Sequence, residues 1–299
     1  GKSDTLALLD SRKEIGPDPR ITYLLVPSDQ ATGLALSVEG VAGLTFDPEG
    51  ALAVARAAGQ FGVPKMMSSV SARTKAEVRN AGGPASIFQL YVREAGRFIE
   101  DHVEATIAAG MAAFCFTVDT AHYSRRERDL DNRFAKPWRA EVSEVAIRSQ
   151  AALNWKDIAR VRKAYKIPLI LKGIATHEDA RIALDHGIDV IYVSNHGGRQ
   201  LDHGLGGVAV LPEVVAAVAG RAEVIVDGGF MRGTDIVKAM ALGATAVGIG
   251  RLQALALAAG GEAALTRMLG LYKQDMRTAL GLTGVPNARD VGRGVLLQP

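Results

Sequence analysis

Short apolar runs alternate with helix-like stretches along most of the chain, and this alternation constrains the fold more than any other feature. The runs are apolar at consecutive positions, which is typical of parallel strands buried on both faces. Eight such runs are found, at 34–44, 63–69, 87–92, 112–119, 167–173, 189–195, 222–228 and 244–250. Eight strand–helix units in 299 residues predict a TIM (β/α)8 barrel, formed by a single domain over residues 1–299. A doubly wound α/β sheet is the alternative.

The stretches between the runs carry helix signals. Examples are PEGALAVARAAGQFG at 48–62 and THEDARIALDHG at 176–187. In the second stretch, Thr176 is predicted to cap the helix, Asp179 is an acid in its first turn, and Gly187 ends it.

Composition excludes several classes of protein. The formal net charge is only +3, and the sequence has no basic stripe interleaved with aromatic residues. Nucleic-acid binding is therefore not expected. No run of 18 or more apolar residues predicts a membrane span. A single cysteine, Cys115, excludes an intrachain disulfide and favours a reducing compartment, so we expect a cytoplasmic protein. The sequence begins GKSDTL without Met, and we expect its N-terminal segment to be incomplete.

Polar side chains follow the apolar runs at six of the eight predicted strand ends. One of these alone would more often be a satisfied core or surface group. A TIM barrel, however, carries its chemistry on the C-terminal rim of its strands, where all six ends meet. The residues are Gln89, Tyr91, Thr117, Asp119, Lys172, Ser194, His196, Arg199, Asp227, Gly228, Gly229, Gly250 and Arg251.

The last two strand ends are suited to phosphate. The stretch VDGGFMRGTDIVKAMALGATAVGIGR at 226–251 places glycines after strand seven, a helix start near Thr234, and Gly250–Arg251 after strand eight. Glycines let backbone N–H groups approach an anion, and a helix N-terminus favours one. The chain has no G-x-G-x-x-G opening a βαβ unit, which disfavours a nicotinamide nucleotide bound in the Rossmann manner.

Several motifs together resemble one family. They are SNHGGRQLD (194–202), FTVDT (116–120), RRERD (125–129), FQLYV (88–92), LILKGI (169–174) and VDGGFMRGTDIVKAMALGA (226–244). In this order they resemble the FMN-dependent 2-hydroxy acid oxidases and dehydrogenases, such as glycolate oxidase and lactate oxidase. The resemblance implies an FMN-binding barrel that oxidises a small 2-hydroxy acid and passes electrons to oxygen, a quinone or another acceptor. It also implies a homo-oligomer, such as a tetramer, and no metal.

The same resemblance implies roles on the substrate side. His196 would be the base, and Asp119 would orient its imidazole. Arg199 and Arg126 would bind the substrate carboxylate, since a guanidinium matches a carboxylate bidentately. Tyr91 would hydrogen-bond the substrate oxygen.

On the cofactor side, the resemblance implies that Lys172 stabilises the anionic reduced flavin. The flavin edge would contact Gln89, Thr117, Ser68 and Ser194. The ribityl chain and phosphate would contact Asp227, Gly229, Gly250 and Arg251.

Two positions depart from the family pattern. Met231 stands where the family has Arg, so Arg251 and Arg232 would carry more of the phosphate charge, and we expect weaker FMN retention. Glu39–Gly40 replaces an Ala-Pro pair in a segment that packs against the flavin.

Alternative functions stay open at this stage. The phosphate half alone would suit an isomerase-type phosphate-binding barrel, and an FMN barrel could act on an amine or a peptide-derived substrate. A non-catalytic scaffold is disfavoured, because it has no need for Lys172, His196 and Asp119 around one cavity.

Overall fold

The computed structural model describes residues 34–37, 48–122, 124, 144–201 and 203–297. Its eight strands are parallel and form a closed barrel, in which each strand pairs with the next and the eighth pairs with the first. The strands are β1 (Leu34–Ser37), β2 (Lys65–Ser68), β3 (Ile87–Leu90), β4 (Ala113–Thr117), β5 (Leu169–Ile174), β6 (Val190–Val193), β7 (Glu223–Asp227) and β8 (Ala246–Ile249). Each strand coincides with one predicted apolar run, and β5 extends one residue beyond it. The TIM-barrel prediction is confirmed, and the doubly wound alternative is wrong.

Helices connect the strands. They are α1 (Pro48–Phe61), α2 (Lys75–Gly82), α3 (Phe98–Ala108), α4 (Glu144–Ala152), α5 (Trp155–Ala164), α6 (His177–Asp185), α7 (Gly207–Val218), α8 (Gly233–Ala241) and α9 (Arg251–Leu282). The predicted signals of α6 are confirmed: the Asp179 backbone N–H donates to Thr176 Oγ1 at 3.2 Å, and Gly187 follows the helix with a φ of 72°. The C-terminal ends of β7 and β8 are followed by short connections, residues 228–232 and residue 250, before α8 and α9.

The strand register brings polar side chains together inside the upper barrel. Thr117 aligns with Lys172, Lys172 with Tyr192, and Asp227 with Gly248. Residues aligned across parallel strands point to the same side of a sheet. The contact of Lys172 on β5 with Asp227 on β7 skips a strand, and such contacts are short only on the concave side. These side chains therefore point into the barrel.

Helix α9 is the last helix of the barrel and lies between α8 and α1. Among the described helices it alone is long and apolar enough to cross a membrane by length and composition. It packs against α1 and α8 and buries nine residues there. Gly260 and Gly261 have non-helical backbone angles, so α9 consists of two helical parts that follow the curved barrel surface.

Candidate active site

His196 is the centre of the described site, and two side chains from other strand ends hold its imidazole. Its Nδ1 lies 2.5 Å from Asp119 Oδ2, and its Nε2 lies 3.1 Å from the Tyr91 hydroxyl oxygen. The side chains of His196 and Asp119 are only 8% and 12% exposed. An ionised carboxylate only accepts hydrogen bonds, so in neutral His196 the hydrogen is on Nδ1. Nε2 then presents its lone pair toward Tyr91.

The loop after β6 bends sharply at His196. His196, Gly197 and Gly198 have φ values of 55°, 66° and 77°, three successive residues in the left-handed region. This conformation is costly for His196 and acceptable for the two glycines, and such strain is concentrated at functional sites. The Gly198 N–H donates to Asn195 Oδ1 at 2.9 Å and stabilises the bend. The Arg199 N–H donates to the Asn195 carbonyl oxygen at 3.3 Å, so the bend keeps the half-buried Arg199 near the end of β6.

Two further side chains fix this loop to the end of β4, and sequence reasoning assigned them no role. Gln200 Nε2 donates to the Asp119 carbonyl oxygen at 2.5 Å, and Ser124 Oγ donates to the Arg199 carbonyl oxygen. Both contacts join segments far apart in sequence. Gln200 belongs to the quoted SNHGGRQ motif, which was the only available signal for it.

A buried polar cluster lies beside the loop that follows β6. Lys172 Nζ donates to Ser194 Oγ at 3.2 Å, Ser194 Oγ donates to Asp227 Oδ2 at 3.0 Å, and the His196 N–H donates to Ser194 Oγ at 3.2 Å. Lys172 Nζ also lies 3.9 Å from Asp227 Oδ2. Lys172 and Ser194 are almost fully buried, at 1% and 2% exposure. One hydroxyl thus links the buried ammonium, the β7 carboxylate and the backbone of His196.

Gln89, on β3, provides a buried acceptor two strands away from Lys172 on β5. Its Nε2 donates to Thr117 Oγ1, while its Oε1 is fully buried and accepts no hydrogen bond from a described residue. A buried carbonyl without a donor is costly, and a ligand N–H would satisfy it. The flavin ring edge carries such an N–H. Ser68, also buried, ends β2 beside Gln89 in the strand register.

The two predicted phosphate loops, after β7 and after β8, are present in the structure. Gly228 and Gly229 follow Asp227 with φ values of 101° and 84°. Gly250 precedes α9, whose first residue is the exposed Arg251; Arg251 Nη2 donates to the Gly197 carbonyl at 3.2 Å.

Three backbone N–H groups at the start of α8 already have side-chain acceptors; two lie just before the helix and one lies within it. Those of Met231 and Arg232 donate to Asp235 Oδ2 at 3.1 and 3.0 Å, and that of Thr234 donates to Asp275 Oδ2 at 3.3 Å. The α8 N-terminus is therefore less available to an anion than predicted. Glycine N–H groups and the exposed Arg232 and Arg251 side chains could contact a phosphate here.

Some predicted features lie outside the described residues, namely Arg126 and Glu39–Gly40. Within the described ranges, no group of three or more His, Cys, Asp or Glu side chains could hold a metal ion.

Comparison with known proteins gives the family. The family model for FMN-dependent dehydrogenases matches residues 31–298, so the chain belongs to this family. It is 38% identical over 266 residues to glycolate oxidase 3 of Arabidopsis thaliana, covering 82% of this chain and 72% of that protein. It is 42% identical over 259 residues to 4-hydroxymandelate oxidase of Amycolatopsis orientalis, covering 80% and 72%.

A solved structure agrees. A crystal structure of mandelate oxidase matches with a TM-score of 0.78 and 42% identity, over 86% of this chain and 79% of that one. The protein is therefore an FMN-dependent enzyme of the 2-hydroxy acid oxidase family, and its cofactor is FMN. The barrel mouth fits this cofactor: Gln89 Oε1 accepts no hydrogen bond from a described residue, and the Lys172 ammonium lies two strands away. Family membership disfavours the isomerase-type alternative.

Proposed function

We propose that the protein oxidises an L-2-hydroxy acid to the 2-oxo acid, with His196 as the base. The observation that carries this proposal is the buried hydrogen bond from His196 Nδ1 to Asp119, which leaves Nε2 as the proton acceptor at the barrel mouth. Bound FMN supplies the two-electron acceptor for the substrate.

Proton transfer to His196 uses the geometry around its ring. As Nε2 takes a proton from the substrate, the imidazole becomes positively charged, and the Asp119 carboxylate at Nδ1 stabilises that charge. Tyr91, now 3.1 Å from Nε2, lies where its hydroxyl can hydrogen-bond the substrate oxygen. Oxidation to the 2-oxo acid releases two electrons and two protons: His196 would take one proton, and the electron pair would pass with the other proton to bound FMN.

The substrate carboxylate is proposed to bind Arg199 and Arg126. The left-handed bend at 196–198 supports the first assignment, because it turns the chain so that base and guanidinium come from one short loop. A 2-hydroxy acid carries its carboxylate on the carbon that bears the hydroxyl, so a base and an anion-binding group must act side by side. Amine and peptide-derived substrates fit this pair less well.

On the cofactor side, Lys172 is proposed to stabilise negative charge on the reduced ring, an electrostatic role favoured by its burial. Gln89, Thr117, Ser68 and Ser194 are proposed to hold the ring edge. The ribityl chain and phosphate are assigned to Asp227, Gly229, Gly250, Arg251 and Arg232.

We further propose oxygen as the electron acceptor, because the relatives compared above are named oxidases. A quinone acceptor is the alternative. Homo-oligomeric assembly and a cytoplasmic location remain predictions. Light scattering of the purified protein tests the first, and fractionation of the source cells tests the second.

An absorbance experiment tests the reaction. The purified, FMN-loaded protein is mixed without oxygen with 2-hydroxy acids from glycolate to mandelate. We expect the flavin band to bleach with at least one of them and to return on admission of air. His196→Ala should retain FMN and lose bleaching by roughly 10²- to 10⁴-fold in rate. Normal bleaching by His196→Ala would overturn the assignment of the base.

A further inference from the structure

Tyr192, on β6, is aligned with Lys172 in the strand register and points into the barrel. It is 1% exposed and, among the described residues, it is the largest fully buried side chain. A methyl group at Gly248 would lie 1.8 Å from the Tyr192 hydroxyl oxygen and 3.0 Å from its Cζ. The phenol therefore crosses from β6 past β7 and ends in the space that any side chain at position 248 would occupy. Tyr192 and Gly248 are complementary, because a tyrosine at position 192 requires a residue without a side chain at position 248.

The face of the same ring lies near the buried ammonium. Lys172 Nζ is 5.5 Å from the Tyr192 ring centroid, within the range of cation–π attraction. Lys172 is aligned with Tyr192 across β5 and β6, so the two side chains leave neighbouring strands on the same side. Ser194 Oγ at 3.2 Å and Asp227 Oδ2 at 3.9 Å are other partners of this ammonium. A buried cation is costly unless such groups surround it.

We propose that Tyr192 is a positioning residue that holds the Lys172 ammonium charged and directed at the flavin, and that Gly248 makes this placement possible. The proposal rests on the proposed role of Lys172 toward FMN. It adds to that role the side chain whose ring face lies near the Lys172 ammonium. The ring face provides the support, so the hydroxyl is not required for it.

The test measures how firmly positive charge is held near the flavin ring. Sulfite is a suitable probe, because this anion binds oxidised flavins more tightly when a cation lies near the ring. The FMN-loaded enzyme and variants are titrated with sulfite, and the midpoint potential of the bound flavin is measured in parallel. Tyr192→Met removes the ring but keeps much of the volume. We expect the sulfite Kd to rise about tenfold and the potential to fall, as a cation–π contribution of about 1.4 kcal/mol implies.

Two further variants separate this role from packing. Tyr192→Phe keeps the ring face and should change the sulfite Kd by less than about threefold. Gly248→Ala forces the ring aside, and we expect its sulfite Kd to rise as in Tyr192→Met. It therefore tests the same contact independently if Tyr192→Met fails to fold. Adding Tyr192→Phe to Gly248→Ala removes the closest contact and should restore much of the sulfite affinity.

Lys172→Met distinguishes the possible failures. If Lys172→Met weakens sulfite binding strongly while Tyr192→Met and Gly248→Ala leave it unchanged, Tyr192 does not position Lys172, and the proposed function stands. If Lys172→Met has no effect, the assignment of Lys172 to the flavin fails and the inference fails with it. Equal losses in Tyr192→Phe and Tyr192→Met would also overturn the proposal, because the hydroxyl would then be the essential group.

Discussion

Asp119 Oδ2 lies 2.5 Å from His196 Nδ1, and 77 residues of sequence separate the two. Asp119 follows β4 and His196 follows β6, and these two strands flank β5 in the barrel, which brings the two loops together. The second Asp119 oxygen, Oδ1, is buried and accepts no hydrogen bond from a described residue. The carboxylate is therefore directed at the imidazole, and its negative charge favours the protonated ring that proton transfer creates.

Asp119→Asn tests this relationship. The amide NH₂ would donate to Nδ1 and place the ring hydrogen on Nε2, where it blocks proton acceptance. We expect flavin reduction by substrate to slow by roughly 10²- to 10⁴-fold, measured by stopped-flow bleaching without oxygen. Asp185→Asn, at an exposed position in the last turn of α6, is the matched control and should reduce normally. Wild-type rates in Asp119→Asn would show that the tautomer does not limit the reaction.

Gly173 constrains the same carboxylate from β5. Its φ is 112°, and an added Cβ would lie 2.8 Å from the Cβ, Cγ and backbone nitrogen of Asp119. Gly173→Ala must therefore displace Asp119, and we expect flavin reduction to slow by about tenfold or more, with a loss of about 1–3 kcal/mol in stability.

Gly220→Ala is the control for backbone strain. Gly220 also has a positive φ, 73°, but its added Cβ would meet nothing within 4 Å. It should lose about 1–2 kcal/mol of stability and no activity. Equal activity in the two variants would mean that β5 does not hold Asp119 in place.

The strands and the rim residues could be predicted because each leaves a local signal. A doubly buried strand is an apolar run, and the residue that ends it is adjacent in sequence. The register placed Lys172, Ser194 and Asp227 in one hydrogen-bonded cluster, as expected for side chains of one rim.

Long-range complementarity left no such signal. Gln200 contacts a carbonyl 81 residues away, and Gly248 accommodates a phenol from β6. A single sequence shows a glycine in a strand, but it does not show which side chain fills the space in front of it. The α8 N-terminus likewise looked free for phosphate, because Asp275, which accepts the Thr234 N–H, lies on a different helix.

Met231→Arg tests the phosphate side. Met231 is 55% exposed in the loop before α8, where a guanidinium could reach an anion held by the glycine loops. We expect FMN to bind more tightly, by about three- to tenfold, in equilibrium titration of the apoprotein. Ile107→Arg adds the same charge at an exposed position on α3 and should leave the FMN Kd unchanged. A wild-type Kd that is already submicromolar and unaffected by Met231→Arg would contradict the expected weak retention.

Lys65, the first residue of β2, provides a prediction about stability and pH. It is 1% exposed and donates to the Met66 carbonyl at 3.0 Å, and burial lowers its pKa from 10.5 to about 7. Between these values the unfolded chain binds a proton that the native protein does not. The free energy of unfolding therefore rises with pH, by up to about 1.4 kcal/mol per unit from this residue. Below the native pKa both states are protonated, and the native state carries a buried charge.

Lys65→Met should remove this dependence and stabilise the protein most near neutral pH. The measurement is urea unfolding of both proteins from about pH 7 to about pH 9. The difference between the two cancels titrations that they share. Lys163→Met, at an exposed position in α5, is the matched control and should parallel the wild type. If the curves of wild type and Lys65→Met stay parallel over this range, Lys65 is charged in the native protein, and a partner beyond the Met66 carbonyl must stabilise it.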